Sequence, residues 1–363
     1  MADNTIKEKY MQRCIELARL GSGNTAPNPM VGSVVVCDNK IIGEGYHRKC
    51  GEAHAEVNAI NAVKNKELLQ KSTLYVNLEP CSHYGKTPPC AHLIAQLKIP
   101  EVVIGTMDTA SHVSGKGIEI LKHAGCKVTV GMLEKQSREI NKRFFTFHEK
   151  KRPYIILKWA ETLDGFMDVL RTQDYPVKPT WITNEFSKML VHKWRAEEQA
   201  ILIGTNTASA DNPTLTTRNW PGTNPLRIVF DRELKLSSNL NIFDKDAETV
   251  IVADKLMKNK LNKSFHSNIG ILFVDYTQGF DKQIFEFFVK QNIQSIIIEG
   301  GAKILNYFIH NDLWDEARIF VGNKKFMKGI EAPQITGKVI QNENLGNSKL
   351  LLIKNKPIFK DNS

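Results

Sequence analysis

Leu78-Glu79-Pro80-Cys81-Ser82-His83-Tyr84-Gly85-Lys86-Thr87-Pro88-Pro89-Cys90 sets two cysteines on either side of an eight-residue loop. Before it, residues 73–78 alternate in the manner of a strand, and after it residues 90–97 repeat at helical spacing. The run is a strand–loop–helix step with a thiol at each shoulder. Working outward, residues 31–36 and 40–45 form an expected hairpin around Asp38-Asn39, and residues 53–64 an expected helix. Further strands are expected at 102–105 and 127–130 and a helix at 116–124. Tyr10, Met11, Cys14, Ile15 and Ala18 mark an opening helix, and 133–147 a closing one. Strands alternating with helices make a layered α/β module.

The remainder repeats that alternation. Strands are expected at 154–158, 200–204, 227–231, 249–253, 269–274, 295–299 and 317–321, with helices near 184–198, 281–291 and 302–311. The polar stretch His148-Glu149-Lys150-Lys151-Arg152-Pro153 is the expected boundary, giving modules at 1–148 and 152–363 of the 363-residue chain. All six cysteines fall in the first module, the last being Cys126. That asymmetry suits two modules of different origin and reduced thiols rather than a disulfide framework.

A hydrophobic fraction of 42% excludes disorder, and no apolar run approaches the roughly 20 residues that span a bilayer. Charges at Asp3, Lys7, Glu8, Lys9 and Arg13 break what would be a signal-peptide core, so a cytoplasmic protein is expected. The net charge of +10 favours anionic partners, and a phosphorylated metabolite satisfies it as well as nucleic acid does. The lysines are scattered rather than blocked, which reads as solvated surface.

The chemistry resides in His54-Ala55-Glu56 at the head of a helix, Cys81 after a strand and Cys90 opening a helix. One imidazole and two thiolates suit Zn²⁺ and leave a tetrahedral position for water, whose pKa the metal brings from about 15.7 to about 7. Glu56, two residues past His54, is placed to take the proton of that water and return it to a leaving amine. A lone histidine or cysteine is more often a packed core residue, but three at element ends in this order point to a metal. The signature of zinc nucleobase deaminases is His-x-Glu followed by Pro-Cys-x-x-Cys, and here six more residues separate the cysteines. Cys14, Cys37, Cys50 and Cys126 read as packed or surface residues.

With Pro27-Asn28-Pro29-Met30-Val31-Gly32 and Gly43-Glu44-Gly45-Tyr46-His47, these runs resemble the bifunctional riboflavin-biosynthesis deaminases/reductases over nearly the whole chain. The resemblance implies a cytidine-deaminase-like three-layer domain followed by a dihydrofolate-reductase-like α/β domain. The first would remove the 2-amino group of 2,5-diamino-6-(5-phosphoribosylamino)pyrimidin-4-one. The second would reduce the ribosyl arm to ribityl with NADPH. His54, Cys81 and Cys90 would hold zinc, with Glu56 as proton carrier and Asn28, His47, Lys86 and Asp108 on substrate. Only Asp108 carries over from the family's Asp-Pro-Asn-Pro run.

In the second module, Lys158, Arg195, Asp211, Arg218 and Glu299 would hold substrate, and Lys158, Thr183, Gly300 and Gly301 cofactor. Glu299-Gly300-Gly301 between strand and helix suits phosphate at a helix N-terminus, although glycines there are usually only turn residues. Phe166-Met167-Asp168 and the longer 171–180 segment depart from the family pattern and reshape the nicotinamide pocket or alter reductase efficiency. Gly21-x-Gly23-x-x-Ala26 follows a helix rather than a strand and reads as a helix stop, not a dinucleotide fingerprint.

Two rival readings are weaker. A nucleic-acid-editing deaminase would need a basic, aromatic groove, whereas the first module lacks a basic arm and its long intercysteine loop suits a mononucleotide-sized ligand; a structural zinc module would need a fourth protein ligand, for which Glu56 is a poor candidate. The expected partner is a small phosphorylated pyrimidine, with self-association into a homo-oligomer and with neither nucleic acid nor membrane.

Overall fold

The central strands of each sheet, such as Gly32–Cys37, Ala200–Gly204 and Ser295–Ile298, are buried along their whole length, so both of their faces are covered. The computed structural model describes residues 2–82, 88–109, 115–172, 175–260 and 265–355, and the chain divides into two units, Met1–Arg152 and Pro153–Ser363. The first holds strands β1 (Gly32–Cys37), β2 (Lys40–Tyr46), β3 (Thr73–Leu78), β4 (Glu101–Thr106) and β5 (Lys127–Val130), in the sheet order β2-β1-β3-β4-β5. β1 is antiparallel to both β2 and β3, while β3, β4 and β5 run parallel.

Its helices are α1 (Ala2–Arg19), α2 (Ala55–Ala62), α3 (Cys90–Gln96), α4 (Lys116–His123), α5 (Glu134–Ile140) and α6 (Lys142–Lys150). Val35, Leu74, Val76, Val102 and Ile104 pack with α2, α3 and α4 through Ala59, Ile60, Ala91, Ile94 and Leu121. The intervening Val34, Val36, Tyr75 and Val103 pack with α1 through Met11, Cys14, Ile15 and Ala18. A period of two thus serves two helical layers, which is why these strands read as near-continuous apolar runs.

Two glycines let α2 lie directly on β2. A Cβ at Gly43 would fall 2.4 Å from the Ala59 carbonyl oxygen, and one at Gly45 would fall 2.5 Å from the Ala59 nitrogen. The helix expected at 133–147 is instead two, α5 and α6, parted at Asn141. The Asn141 amide accepts from Met30 N–H at 2.8 Å and donates to the Met30 carbonyl at 2.9 Å. A buried amide paired with a distant backbone segment fixes the turn there.

The second unit comprises β6 (Tyr154–Glu161), β7 (Phe166–Asp168), α7 (Glu185–Glu197), β8 (Ala200–Gly204), α8 (Thr205–Asp211), β9 (Leu226–Phe230) and β10 (Thr249–Asp254). It continues with β11 (Ile269–Val274), α9 (Phe280–Lys290), β12 (Ser295–Ile298), α10 (Ala302–His310), β13 (Glu316–Gly322), β14 (Ile330–Glu331), β15 (Lys338–Leu345) and β16 (Ser348–Lys354). Nine strands form one sheet, β11-β10-β9-β8-β12-β6-β13-β16-β15, parallel as far as β13 and antiparallel over the last two. β7 and β14 pair separately.

Ile155, Leu157, Trp159, Leu202 and Ile298 pack with α9 and α10, while Tyr154, Ile156, Ile201, Ile203 and Ile297 pack with α7 and α8. Chain direction across the sheet reverses between β8 and β12. In an open α/β sheet the crevice for a ligand opens at such a reversal, beyond the carboxyl ends of the strands. Gly204 and Glu299 mark those ends.

Gly45→Ala tests the seating of α2. The added methyl is expected to lower the stability of the first unit by about 1–3 kcal/mol, read as an earlier denaturant midpoint of its own unfolding transition. An unchanged midpoint would mean that α2 is held from elsewhere.

Candidate active sites

The head of α2, the end of β3 and the head of α3 converge in the first unit. His54 is the N-cap residue of α2, Cys81 follows β3 through Glu79-Pro80, and Cys90 opens α3. His54 Nδ1 lies 3.5 Å from Cys81 Sγ and 3.5 Å from Cys90 Sγ, and the three donor atoms all lie within 4.8 Å of one another. Donors about 2.0–2.3 Å from a tetrahedral zinc stand about 3.6 Å apart, so both spacing and donor type fit the ion.

The electrostatics agree. Cys81 is pushed down, first by its hydrogen bond with Cys90 and then by His54, whereas Cys90 is pushed up, first by Cys81 and then by burial. The bond to Cys81 raises His54 to about 8, and burial, with the Cys81 charge, raises Glu56 to about 7. A dication held among these groups would relieve their crowding. Glu56 is 3% exposed on the first turn of α2 and lies outside the set of candidate ligands.

His47 meets the His54 ring edge-on, with centroids 5.3 Å apart. Its Nδ1 is 3.2 Å from the Ala53 carbonyl, an acceptor only, so the proton sits on Nδ1 and Nε2 accepts from Asn28 Nδ2 at 3.1 Å. Burial lowers its pKa, in keeping with a neutral ring. Asn28 and His47 are therefore brought to the triad. Asp108 is buried beyond β4, and its N–H donates to Glu79 Oε2 at 3.2 Å. Lys86 lies outside the described residues.

Two asparagines that the sequence reading passed over hold the backbone near Asn28. Asn77 accepts from Gly32 N–H at 2.7 Å and donates to the Met30 carbonyl at 3.1 Å, opposite the Asn141 pair. Both are buried, and together they fix the segment that carries Asn28. Glu79 joins β3 to α4 by accepting from the N–H groups of Gly115 and Gly117 at 3.1 and 3.0 Å.

In the second unit a cavity of about 560 Å³ opens at the strand reversal, and Lys158, Thr183, Arg195, Asp211, Arg218 and Glu299 all line it. Gly300 and Gly301 lead into α10 from Glu299. A Cβ at Gly300 would fall 2.5 Å from Ile203 Cα, and Gly301 has φ +51°, so both positions call for glycine. Arg195 grips Glu299 with Nη2 at 2.9 Å and Nε at 3.3 Å, and Lys158 Nζ stands 3.7 Å from the same carboxylate. Burial alone would raise Glu299, but Arg195 and then Lys158 outweigh it and bring it to about 2. Burial lowers Lys158, against the pull of Glu299.

His192, missed in the sequence, also lines this cavity. Its Nδ1 accepts from the Arg218 N–H at 3.1 Å, and the Arg218 guanidinium bonds Thr214 and Thr216. Asp164, between Thr162 and Gly165, serves structure: it accepts from Phe326 and Met327 N–H at 3.1 and 2.8 Å.

Comparison with known proteins finds two family models matched in succession along the chain. Residues 4–106 match the family model of the cytidine and deoxycytidylate deaminase zinc-binding region, and residues 153–348 match that of the RibD C-terminal domain. The riboflavin biosynthesis protein RibD of Aquifex aeolicus is 36% identical, covering 96% of this chain and 98% of that protein. Its counterpart from Bacillus amyloliquefaciens is 38% identical, covering 87% and 84%. A crystal structure of a diaminohydroxyphosphoribosylaminopyrimidine deaminase/5-amino-6-(5-phosphoribosylamino)uracil reductase from Thermotoga maritima superposes with a TM-score of 0.86 at 34% identity, covering 98% and 100%.

The His192 environment has a pH consequence. Burial first, then the charges of Arg195 and Arg218, lower this histidine from 6.5 to about 4. The unfolded chain therefore binds the extra proton more readily across that window. The stability His192 contributes is complete above pH 6.5 and is lost as pH falls toward about 4. NMR titration is expected to show a neutral ring at pH 5.5, and a midpoint near the ordinary value would remove the effect.

Proposed function

The chain belongs to the RibD family of bifunctional riboflavin-biosynthesis deaminases/reductases, with zinc and NADPH as cofactors, and from that premise we propose which side chains carry each half of the reaction. We assign deamination to residues 1–148 and reduction to residues 152–363, acting in turn on 2,5-diamino-6-(5-phosphoribosylamino)pyrimidin-4-one and its deaminated product. The observation that carries the assignment is the meeting of His54 Nδ1, Cys81 Sγ and Cys90 Sγ within 4.8 Å of one another, with Glu56 buried alongside and outside the ligand set.

In the first half, His54, Cys81 and Cys90 hold zinc. When bound, zinc supplies the Lewis acidity that ionises water near neutral pH. Glu56 accepts the proton at its carboxylate and returns it to the departing 2-amino nitrogen, the same group acting as base and then as acid. His47, fixed as the Nδ1–H tautomer, and Asn28 orient the pyrimidinone, and Asp108 and Lys86 complete the contacts to it.

In the second half, NADPH supplies the hydride when bound. Lys158, Arg195, Asp211, Arg218 and Glu299 hold the phosphoribosyl-bearing substrate, while Thr183, Gly300, Gly301 and Lys158 receive the dinucleotide. Glu299, with its charge fixed by Arg195 and Lys158, is an acceptor for ligand hydroxyl or amine hydrogens. Arg218 and Arg195 supply cations for phosphate, and His192 stays neutral between them. A cytoplasmic site of action is consistent with a chain in which no described helix is long and apolar enough to cross a membrane. Self-association fits β15, which ends the sheet with Val339 and Ile340 52% and 45% exposed.

Glu56→Gln is expected to keep its zinc and to lose deamination by about 10²–10⁴-fold, measured by metal analysis beside product formation. Zinc lost with that carboxylate would make it a ligand instead. Cys81→Ser and Cys90→Ser should lose metal and deamination together, and full turnover without metal would end the assignment. Incubating the chain with the diaminopyrimidinone, with and without NADPH, separates the halves: the deaminated ribosyl compound alone without NADPH, and the ribityl compound with it.

A further inference from the structure

The described residues of the stretch in which the sequence departs from the family pattern, 166–172 and 175–180, include Arg171, which ties several of them together. Its Nε donates to Asp168 Oδ2 at 2.8 Å, Nη1 to the Ala210 carbonyl at 2.6 Å and Nη2 to Asp211 Oδ1 at 2.6 Å. The side chain is 16% exposed, and its guanidinium stands over the Tyr175 ring. Asp168 in turn accepts from Thr180 Oγ1 at 2.7 Å through its other oxygen. Thr180 and Asp211 both line the second-unit cavity, so this network ties Thr180 to the end of α8 within the lining.

The carboxylate of Asp211 is left half engaged. Oδ1 is taken by Arg171, whereas Oδ2 has no hydrogen-bond partner among the described residues, on a side chain that lines the cavity. Two carboxylates, Asp168 and Asp211, share one guanidinium, which offsets their charge at a cavity that must admit phosphates. A planar, three-way grip of this kind sets orientation as well as charge.

We infer that Arg171 is a positioning residue of the reductase half: it holds the Asp211 carboxylate with one oxygen presented to a sugar hydroxyl of the ligand in the cavity. The inference rests on the reading of this cavity as the reductase site. The hydroxyl belongs either to a ribose of the dinucleotide or to the ribosyl arm of the pyrimidine, and the shared chemistry is a hydroxyl donor meeting a fixed carboxylate.

The test uses the full chain with Arg171→Ala and Arg171→Lys. NADP⁺ affinity is measured by calorimetry without pyrimidine, and KM and kcat are measured with the deaminated pyrimidine. In the alanine variant, either the NADP⁺ dissociation constant or the pyrimidine KM should rise about ten- to a hundredfold, identifying the sugar, with kcat kept within about threefold. Lysine, which keeps a charge but not the fork, should recover part of that rise. Adding Asp211→Asn to the alanine variant should cost little more, because both changes disable one contact. Unchanged constants, or activity and melting temperature falling together at constant KM and dissociation constant, would leave a purely structural latch and overturn the inference. A wild-type chain that reduces nothing would overturn the underlying reading and the inference with it.

Discussion

Three donor atoms from three separate segments must arrive within 4.8 Å of one another, and the rest of the first unit is arranged so that they do. The head of α2 can reach the sheet only because Gly43 and Gly45 leave room for its backbone. The Cys81 backbone is fixed by its carbonyl, which accepts from Ala91 N–H at 3.1 Å, and its sulfur accepts from Cys90 N–H at 3.3 Å. Such an arrangement carries a standing electrostatic cost without the ion: one sulfur deprotonates at the expense of the other. A dication held by these three donors would offset the charge that packing has concentrated there.

The second unit meets the same problem with its own side chains. Glu299 would be costly to bury alone, and Arg195 and Lys158 make it an anion well below the usual carboxylate range. Breaking such a group by removing one partner leaves a buried charge unpaired, which costs more than the intact set contributes. His192 meets the crowding of Arg195 and Arg218 by staying neutral rather than by finding an anion. The result is a cavity in which the charged side chains offset one another.

Much of this was legible in the sequence because the chemistry-bearing residues stand at element ends. His54, Cys81 and Cys90 each mark a strand or helix boundary that periodicity reveals, and alternation reveals the strands they terminate. Other elements left no local trace. β15 reads Lys-Val-Ile-Gln-Asn-Glu-Asn-Leu, mostly exposed, and is a strand only because β16 pairs with it. Asn141 breaks a helix-like run in order to bond Met30, 111 positions away, and Asn77 meets Gly32 across 45. A buried amide in contact with remote backbone looks, in a sequence, like any surface asparagine.

The net charge illustrates the same limit from the other side. An excess of ten cations over anions is spread over the surface, where screening leaves each one little influence. Two of the cations that line the second-unit cavity are withdrawn from solvent, Lys158 at 16% and Arg195 at 10% side-chain exposure. Both are already paired with Glu299, so what they offer an incoming phosphate depends on how firmly that anion holds them. Composition reports the total charge and is silent on this partition, which is decided by which carboxylate the fold buries beside which cation. Asp211 shows the point in reverse: it lines the cavity, yet Arg171, 40 positions away, engages one of its carboxylate oxygens and offsets its charge.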